Sequence, residues 1–271
     1  MTPTRGSGRG LREVAKALGP RDWAVLHDMA RVRLLTGRMV QRLHVHEGSS
    51  LTQARRTRAV LQRLHDLGLL HRMDRRVGGV YAGSAGFTYG LSAAGQRLIT
   101  GLGPVGGRRP RRPWEPASGF VDHVLAVSEL YVGLREQERR GRLELISFVA
   151  EPSCWRWWTS VSGERLVVKP DAYVVLGVDE YELRHFVELD RSTESRTVLA
   201  RKAMAHVSYW QSGTEQERHG VAPSVSWLVP DERRKAQLVD VLGRLPPDAW
   251  QLFQVVLTHE ASQQLALIDN T

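Results

Sequence analysis

Cysteine is nearly absent from this sequence: Cys154 stands alone among 271 residues. One thiol closes no internal disulfide, and a cysteine-based metal cluster is excluded. The histidines do not fill that gap. His123, His185 and His206 show no ligand spacing, and each is expected to be an ordinary polar residue of a helix or strand. No run of about 18 apolar residues occurs, so no membrane-spanning helix is expected. The opening "MTPTRGSGRG" is basic and glycine-rich with no apolar segment behind it, unlike a secretory signal. A reducing, cytoplasmic setting is the expectation. No Ser/His/Asp arrangement is visible, and "GGVYAGSAG" bears no likeness to a phosphate-cradling GxxxxGK loop. Internal repeats are lacking as well.

Acidic residues are scarce in one part of the chain only. Net charge is +9 and the pI about 10.3. Residues 1–100 hold 17 Lys/Arg against 6 Asp/Glu. Residues 101–117 add four Arg and one Glu, whereas 118–271 hold 17 basic and 22 acidic residues. Excess cation is thus confined to the front of the chain, the expected footprint of a polyanionic partner such as double-stranded DNA.

Four regions follow from this. Residues 1–19 are expected to be a basic, flexible N-terminus. Residues 20–100 carry three helical patterns and a hairpin. The segment 101–117, rich in Gly, Pro and Arg, reads as a linker whose arginines could also track phosphates. Residues 118–271 form the second half.

In the first half, "RDWAVLHDMARVRLL" spaces Trp23, Leu26, Met29 and Ala30 as a helix does. A short helix starts near Thr36, and a third begins at Ser49 or Ser50 as N-cap and ends at Gly68. Two strands around a glycine-rich tip and a short helix, "SAAGQRLI", follow. On the third helix Val60, Leu61, Leu64 and Leu67 should face a core, with Arg55, Arg58 and Gln62 opposite and Thr52 and Arg56 on the flanks. Such a face could enter a major groove, where arginine reads guanine and glutamine reads adenine. Arg38, Arg42, Arg72, Arg75 and Arg76 would then neutralise phosphates. A solvated arginine face on an ordinary helical domain is the plainer alternative. Tyr81, Phe87 and Tyr89 are expected in the hairpin's core.

The stretches "LLTGRMVQRLHV", "SSLTQARRTRAVLQRLHDLGLLHR" and "YGLSAAGQRL" resemble the winged helix-turn-helix family. That resemblance covers about residues 20–100 and implies a DNA-binding fold.

In the second half, 120–141 is an amphipathic helix with Phe120, Val124, Val127, Tyr131 and Leu134 as its stripe. Strands are expected at about 143–150, 171–176 and 182–189, then a helix at 194–211, a strand at 224–229, a helix at 231–243 and a strand at 251–258. The order α-β-β-β-α-β, then α-β, makes an α/β sandwich, so the fold class is α/β within an α+β chain. Glu188 and Asp190, two apart on a strand, should share a face, and Asp171 can join them if its strand pairs with theirs. Such carboxylates would bind Mg²⁺ or Mn²⁺ through oxygen. Glu129 is a further candidate ligand. In "CWRWW", Trp155, Trp157 and Trp158 could form a partner surface or stack on a base, with core packing expected for at least two.

This order, with "KPDAYVVL" and "HFVELD", resembles the restriction-endonuclease-like nucleases. The resemblance implies a metal site at Asp171 and Glu188 and catalytic roles for Asp171, Glu188, Asp190 and a lysine. Those enzymes carry acid-x-Lys on the third strand, but here Asp190 stands where the lysine would be. Lys202 or Lys169 could substitute. Hydrolysis, metal binding without cleavage, and a structural role in which Asp190 with Thr193 or Glu194 caps the next helix all remain open.

Taken together, "VDHVLAVSELYVGL", "KPDAYVVL", "FVELDRSTES" and "RKAMAHVSYW" resemble the replication-relaxation family of plasmids and integrative elements, over roughly 20–245. An acid-x-Asp pattern is usual there. The resemblance implies a sequence-specific DNA-binding protein in replication or maintenance control, with a degenerate nuclease-like domain. A metal-dependent endonuclease or nickase using Asp171 and Glu188 is the first alternative, and a winged-helix transcriptional repressor the second. Replication or mobilisation proteins, or a second copy of the chain, are conceivable partners.

Overall fold

The computed structural model describes residues 8–73, 86–101, 118–160 and 162–267. The chain is α+β and divides into two compact units, 1–132 and 133–271. The division falls inside a long helix, not at the glycine- and arginine-rich segment. Residues 102–117, Arg75, Arg76 and Tyr81 lie outside the described residues. No helix among the described residues is long and apolar enough to cross a membrane.

The first unit begins with α1 (Gly8–Ala17), where flexibility was expected. Its physical reason is burial, since Leu11 and Leu18 are both removed from water. Next, α2 (Pro20–Val32) starts on a proline, and the Asp22 carboxylate accepts the Gly19 N–H at 2.9 Å. Three residues then form β1 (Leu34–Thr36), too short to leave a periodic signal. Thr36 caps α3 (Gly37–His44), its hydroxyl accepting from the Met39 N–H at 3.2 Å.

Ser49 caps α4 (Ser50–Asp66), and Gly68, at φ +69°, ends it. The Leu69 N–H reaches back to the Leu64 carbonyl at 3.0 Å and the Gly68 N–H to that of His65 at 2.8 Å, closing a Schellman turn. The inner stripe of α4 is Thr57, Leu61 and Leu64. Val60 is only half-buried and Leu67 is exposed, so the stripe expected at 60, 61, 64 and 67 is rotated toward Thr57. The Thr57 hydroxyl donates to the Gln53 carbonyl at 2.9 Å, which lets a polar residue occupy that buried position.

Strands β2 (Leu70–Met73) and β3 (Thr88–Leu91) complete a three-stranded antiparallel sheet in the order β1-β3-β2. Tyr89 is buried and Phe87 half-buried, in line with a packing role. Helix α5 (Ala93–Ile99) follows, capped by Ser92. Long α6 (Ser118–Arg139) begins in this unit. Val121 and Val124 pack on Leu34, and the Ser128 hydroxyl donates to the Leu34 carbonyl at 2.6 Å.

In the second unit β4 (Glu144–Ala150) leads to a separate hairpin of β5 (Arg156–Thr159) and β6 (Arg165–Val168). The main sheet resumes with β7 (Ala172–Val178) and β8 (Tyr181–Leu189). After α7 (Arg196–Gln211) and the short α8 (Thr214–His219) come β9 (Ser224–Val229), α9 (Glu232–Leu242), a 3₁₀ turn over Pro247–Leu252 and β10 (Phe253–Leu257). Sheet order is β10-β9-β8-β7-β4. The β4-β7-β8 side is antiparallel, and β8-β9-β10 is parallel, with α7 and α9 as crossovers. Interior β7 reads "AYVVL" without alternation because both its faces are covered. One core joins Tyr173, Phe186 and Trp227 of the sheet to Leu199, Ala203 and Val207 of α7 and Leu238 and Val241 of α9.

Candidate functional site

Strand register places three carboxylates in a row. Ala150 pairs with Ala172, and Ala172 with Val187, so Glu151, Asp171 and Glu188 stand side by side at one end of β4, β7 and β8. The Glu151 N–H donates to the Asp171 carbonyl at 3.0 Å, and the Asp171 N–H to the Val187 carbonyl at 2.9 Å. Directly opposed residues share a sheet face. A carboxylate oxygen of Glu151 lies within 4.8 Å of one of Asp171. Glu151 was not anticipated. Its only signal is its position at the end of the strand before "KPD".

Helix α7 brings cations to this row. Lys202 Nζ lies 3.1 Å from Glu188 Oε2 and 3.0 Å from Glu194 Oε1. One turn on, His206 Nε2 lies 2.8 Å from Glu188 Oε1. Burial pulls the Lys202 ammonium toward its neutral form, but the charges of Glu188, Asp171 and Glu194 outweigh it and hold its pKa above the ordinary lysine value. The other ring nitrogen of His206, Nδ1, is buried with no hydrogen-bond partner among the described residues. His206 lines, with Phe186, Tyr209 and Glu215, a small cavity with space for about one water. Trp227 faces Glu188 across the β8-β9 register, and the Lys202 ammonium sits 5.9 Å from its ring centre.

Asp190 is engaged elsewhere. Strand β8 ends at Leu189, and Asp190 turns to Arg234 of α9: Arg234 Nη2 is 3.1 Å from Oδ1 while Nε contacts Oδ2. The Ser192 N–H adds a third donor at 2.8 Å. Asp190 and Arg234 are both buried, so this carboxylate is neutralised where an open metal ligand beside Glu188 was expected. The cap of α7 is Ser195, which accepts from the Val198 N–H at 3.4 Å, and not Asp190, Thr193 or Glu194.

Lys169, His185, His123 and Glu129 each make contacts within their own unit. Lys169 is exposed, its ammonium 4.8 Å from the Trp155 ring centre. His185 projects from the opposite face of β8, its Nδ1 3.0 Å from Ser226 Oγ. His123 lies on α6 in the first unit, its ring 6.4 Å from that of Phe120. Glu129, also there, is ion-paired with Arg42.

As a donor set, Glu151, Asp171 and Glu188 are hard oxygen ligands of the kind Mg²⁺ or Mn²⁺ takes. Asp171 Oδ2 already accepts the Leu189 N–H at 2.7 Å, which fixes its rotamer. Both Glu188 oxygens meet cationic or ring-nitrogen partners.

In the first unit the outward face of α4 carries Arg55, Arg56, Arg58 and Gln62, all exposed, with Thr52 at its edge. Intramolecular ties there are weak. Arg56 is 3.8 Å from Glu47, Arg58 Nε donates to the Ala54 carbonyl at 3.3 Å, and Gln62 reaches Asp66 at 2.8 Å. Arg55 has no ion-pair partner among the described residues. Arg38 is exposed on α3, and Arg72 on β2 lies over the Phe87 ring at 4.2 Å.

An α+β chain with an arginine-faced helical unit and a carboxylate row at a sheet end is thus the class that fold and site define. Residues 26–225 match the replication-relaxation family model, from within α2 to the start of β9. The chain belongs to the replication-relaxation family, and that membership supports a role in plasmid or mobile-element replication. No curated protein matches it.

Proposed function

We propose that the protein is a sequence-specific double-stranded DNA-binding factor of a plasmid or mobile element, acting in replication or maintenance control. The single observation that carries this is the two-sidedness of α4. Thr57, Leu61 and Leu64 anchor one side in the core, and Arg55, Arg56, Arg58 and Gln62 stand in water on the other. A winged helix-turn-helix uses its recognition helix in this way, with side chains reading base edges and flanking cations holding phosphates. Thr52, Arg38 and Arg72 are assigned to the same DNA-holding set, and Arg75 and Arg76, outside the described residues, are assigned to it from the sequence alone. Arg42 contributes only by exchanging Glu129 for a phosphate. Footprinting across the element's replication origin and the gene's own promoter tests the proposal. Protection of a discrete origin site supports it, and protection confined to the promoter favours the repressor reading instead.

A second reading has its own support: a metal-dependent endonuclease or nickase in the second unit. Lys202, 3.1 Å from Glu188 and electrostatically coupled to Asp171, supplies from α7 the cation absent from position 190. If Mg²⁺ or Mn²⁺ binds there, it supplies an activated water and a grip on the scissile phosphate. Nicking of supercoiled plasmid with Mg²⁺ or Mn²⁺ that disappears in Asp171→Ala and Glu188→Ala would establish it. Intact plasmid under both metals leaves the DNA binder.

A further inference from the structure

The hairpin β5-β6 lies in the chain between Glu151, at the end of β4, and Asp171, at the start of β7, with short connections on both sides. It therefore borders the carboxylate row by covalent connection, whatever binds there. Its two faces differ in chemistry. Arg156 pairs with Val168, and Trp158 with Leu166. That face turns inward. Trp158 and Val168 are in the core, and Arg156 Nε donates to the buried Glu215 carboxylate at 2.7 Å. The inward anchoring fixes which way the other face looks.

That other face carries Trp157 and Arg165, and Trp155, packed against the core, and Lys169 lie just beyond the strand ends. Trp157 is 48% exposed. The Arg165 guanidinium lies 4.6 Å from its ring centre, and the Lys169 ammonium 4.8 Å from that of Trp155. Neither cation has a carboxylate partner among the described residues. A cation stacked on an indole and left without a counter-ion is ready for an anion, and an indole half in water is ready for a flat partner. An unpaired nucleotide offers both at once, since its base has a π-face and its phosphate a charge. Duplex DNA hides its base faces and does not fit.

We infer that this hairpin face is a binding site for single-stranded DNA, with a base stacked on Trp157 and adjacent phosphates held by Arg165 and Lys169. The site is separate from the duplex-reading face of α4 and does not rest on it. It would hold one opened strand beside Glu151 and Asp171.

The test uses the full chain and a fluorescein-labelled oligo-dT of about 20 nucleotides, longer than most site sizes on such platforms. Fluorescence anisotropy gives its affinity, and the same titration with a duplex fragment serves as control. Trp157→Ala should weaken oligo-dT binding by about 5- to 150-fold, the span of 1–3 kcal/mol for one stacked base. Trp157→Phe should restore most of it. Arg165→Gln with Lys169→Gln should flatten the dependence of log affinity on log salt by about 1.4, two phosphates at about 0.7 each. Duplex affinity should stay the same in all three. Undetectable oligo-dT binding at low salt, or unchanged affinity in both Trp157→Ala and the double variant, would overturn the proposal. So would a loss reproduced by Arg55→Ala, which would assign the strand to α4. An oligo-U that binds as tightly as oligo-dT would overturn the assignment to DNA.

Discussion

Arg234 straddles the Asp190 carboxylate just beyond the end of β8, with one guanidinium nitrogen on each oxygen. The same guanidinium donates to the Glu194 carbonyl at 2.8 Å, so the pair also ties down the turn that enters α7. Removing one member leaves the other charge buried and uncompensated. Asp190→Ala and Arg234→Ala should each cost about 3–5 kcal/mol of stability. The double variant should cost clearly less than their sum, because neither charge is then stranded. Urea unfolding of the four proteins measures this, and single losses below about 1 kcal/mol would refute it.

His185 gives the second unit an acid-sensitive core. Burial depresses its pKa to about 4, only partly offset by the Leu265 backbone. A histidine held neutral in the fold but free to protonate when unfolded stabilises the protein above its unfolded pKa of about 6.5. That contribution declines as pH falls toward 4. From pH 7 to pH 5 the wild type should lose roughly 2 kcal/mol through this group alone. His185→Gln should show that much less acid dependence between the two pH values, which paired urea titrations would reveal.

Arg55→Ala and Arg58→Ala should each weaken specific duplex binding by about 1–3 kcal/mol. Arg56 already has Glu47 as a neighbour at 3.8 Å, and Arg56→Ala should cost less. Anisotropy titrations on a footprinted site give these values. Unchanged affinity in both Arg55→Ala and Arg58→Ala would remove α4 as the reading element.

Gly95 is held by shape. A Cβ at this position would come within 2.2 Å of the Leu69 carbonyl oxygen, so α5 rests directly on the backbone that follows α4. Gly95→Ala forces that contact apart and should cost on the order of 1–3 kcal/mol, despite alanine's better helix propensity. A melting temperature equal to or above the wild type's would contradict the contact.

Much of the fold could be read in the chain because its signals are local. Thr36 and Ser49 cap helices where expected, Gly68 ends α4, and β9 runs over Ser224–Val229 as its apolar run indicated. The stripe Val124, Val127, Tyr131 and Leu134 is buried along α6. Apart from α1, the elements that escaped notice are short or irregular. They include β1, α8 and the hairpin β5-β6, in which Trp158 is buried, Trp155 partly buried and Trp157 exposed. Within one run of tryptophans, periodicity cannot say which ring meets the core.

Residue patterns alone were enough for the longer helices and strands from α2 onward, for the arginine face of α4, and for a conditional pairing of Asp171 with Glu188. Each of these depends on residues adjacent in the chain or on a strand pair with a short connection. Which charges meet was set by packing. Glu151 joins the row through sheet register, Lys202 and His206 reach Glu188 from the next helix, and Arg234 takes Asp190 out of the cluster. Ion pairing in a buried site is settled by packing across long chain separations, and no local spacing records it.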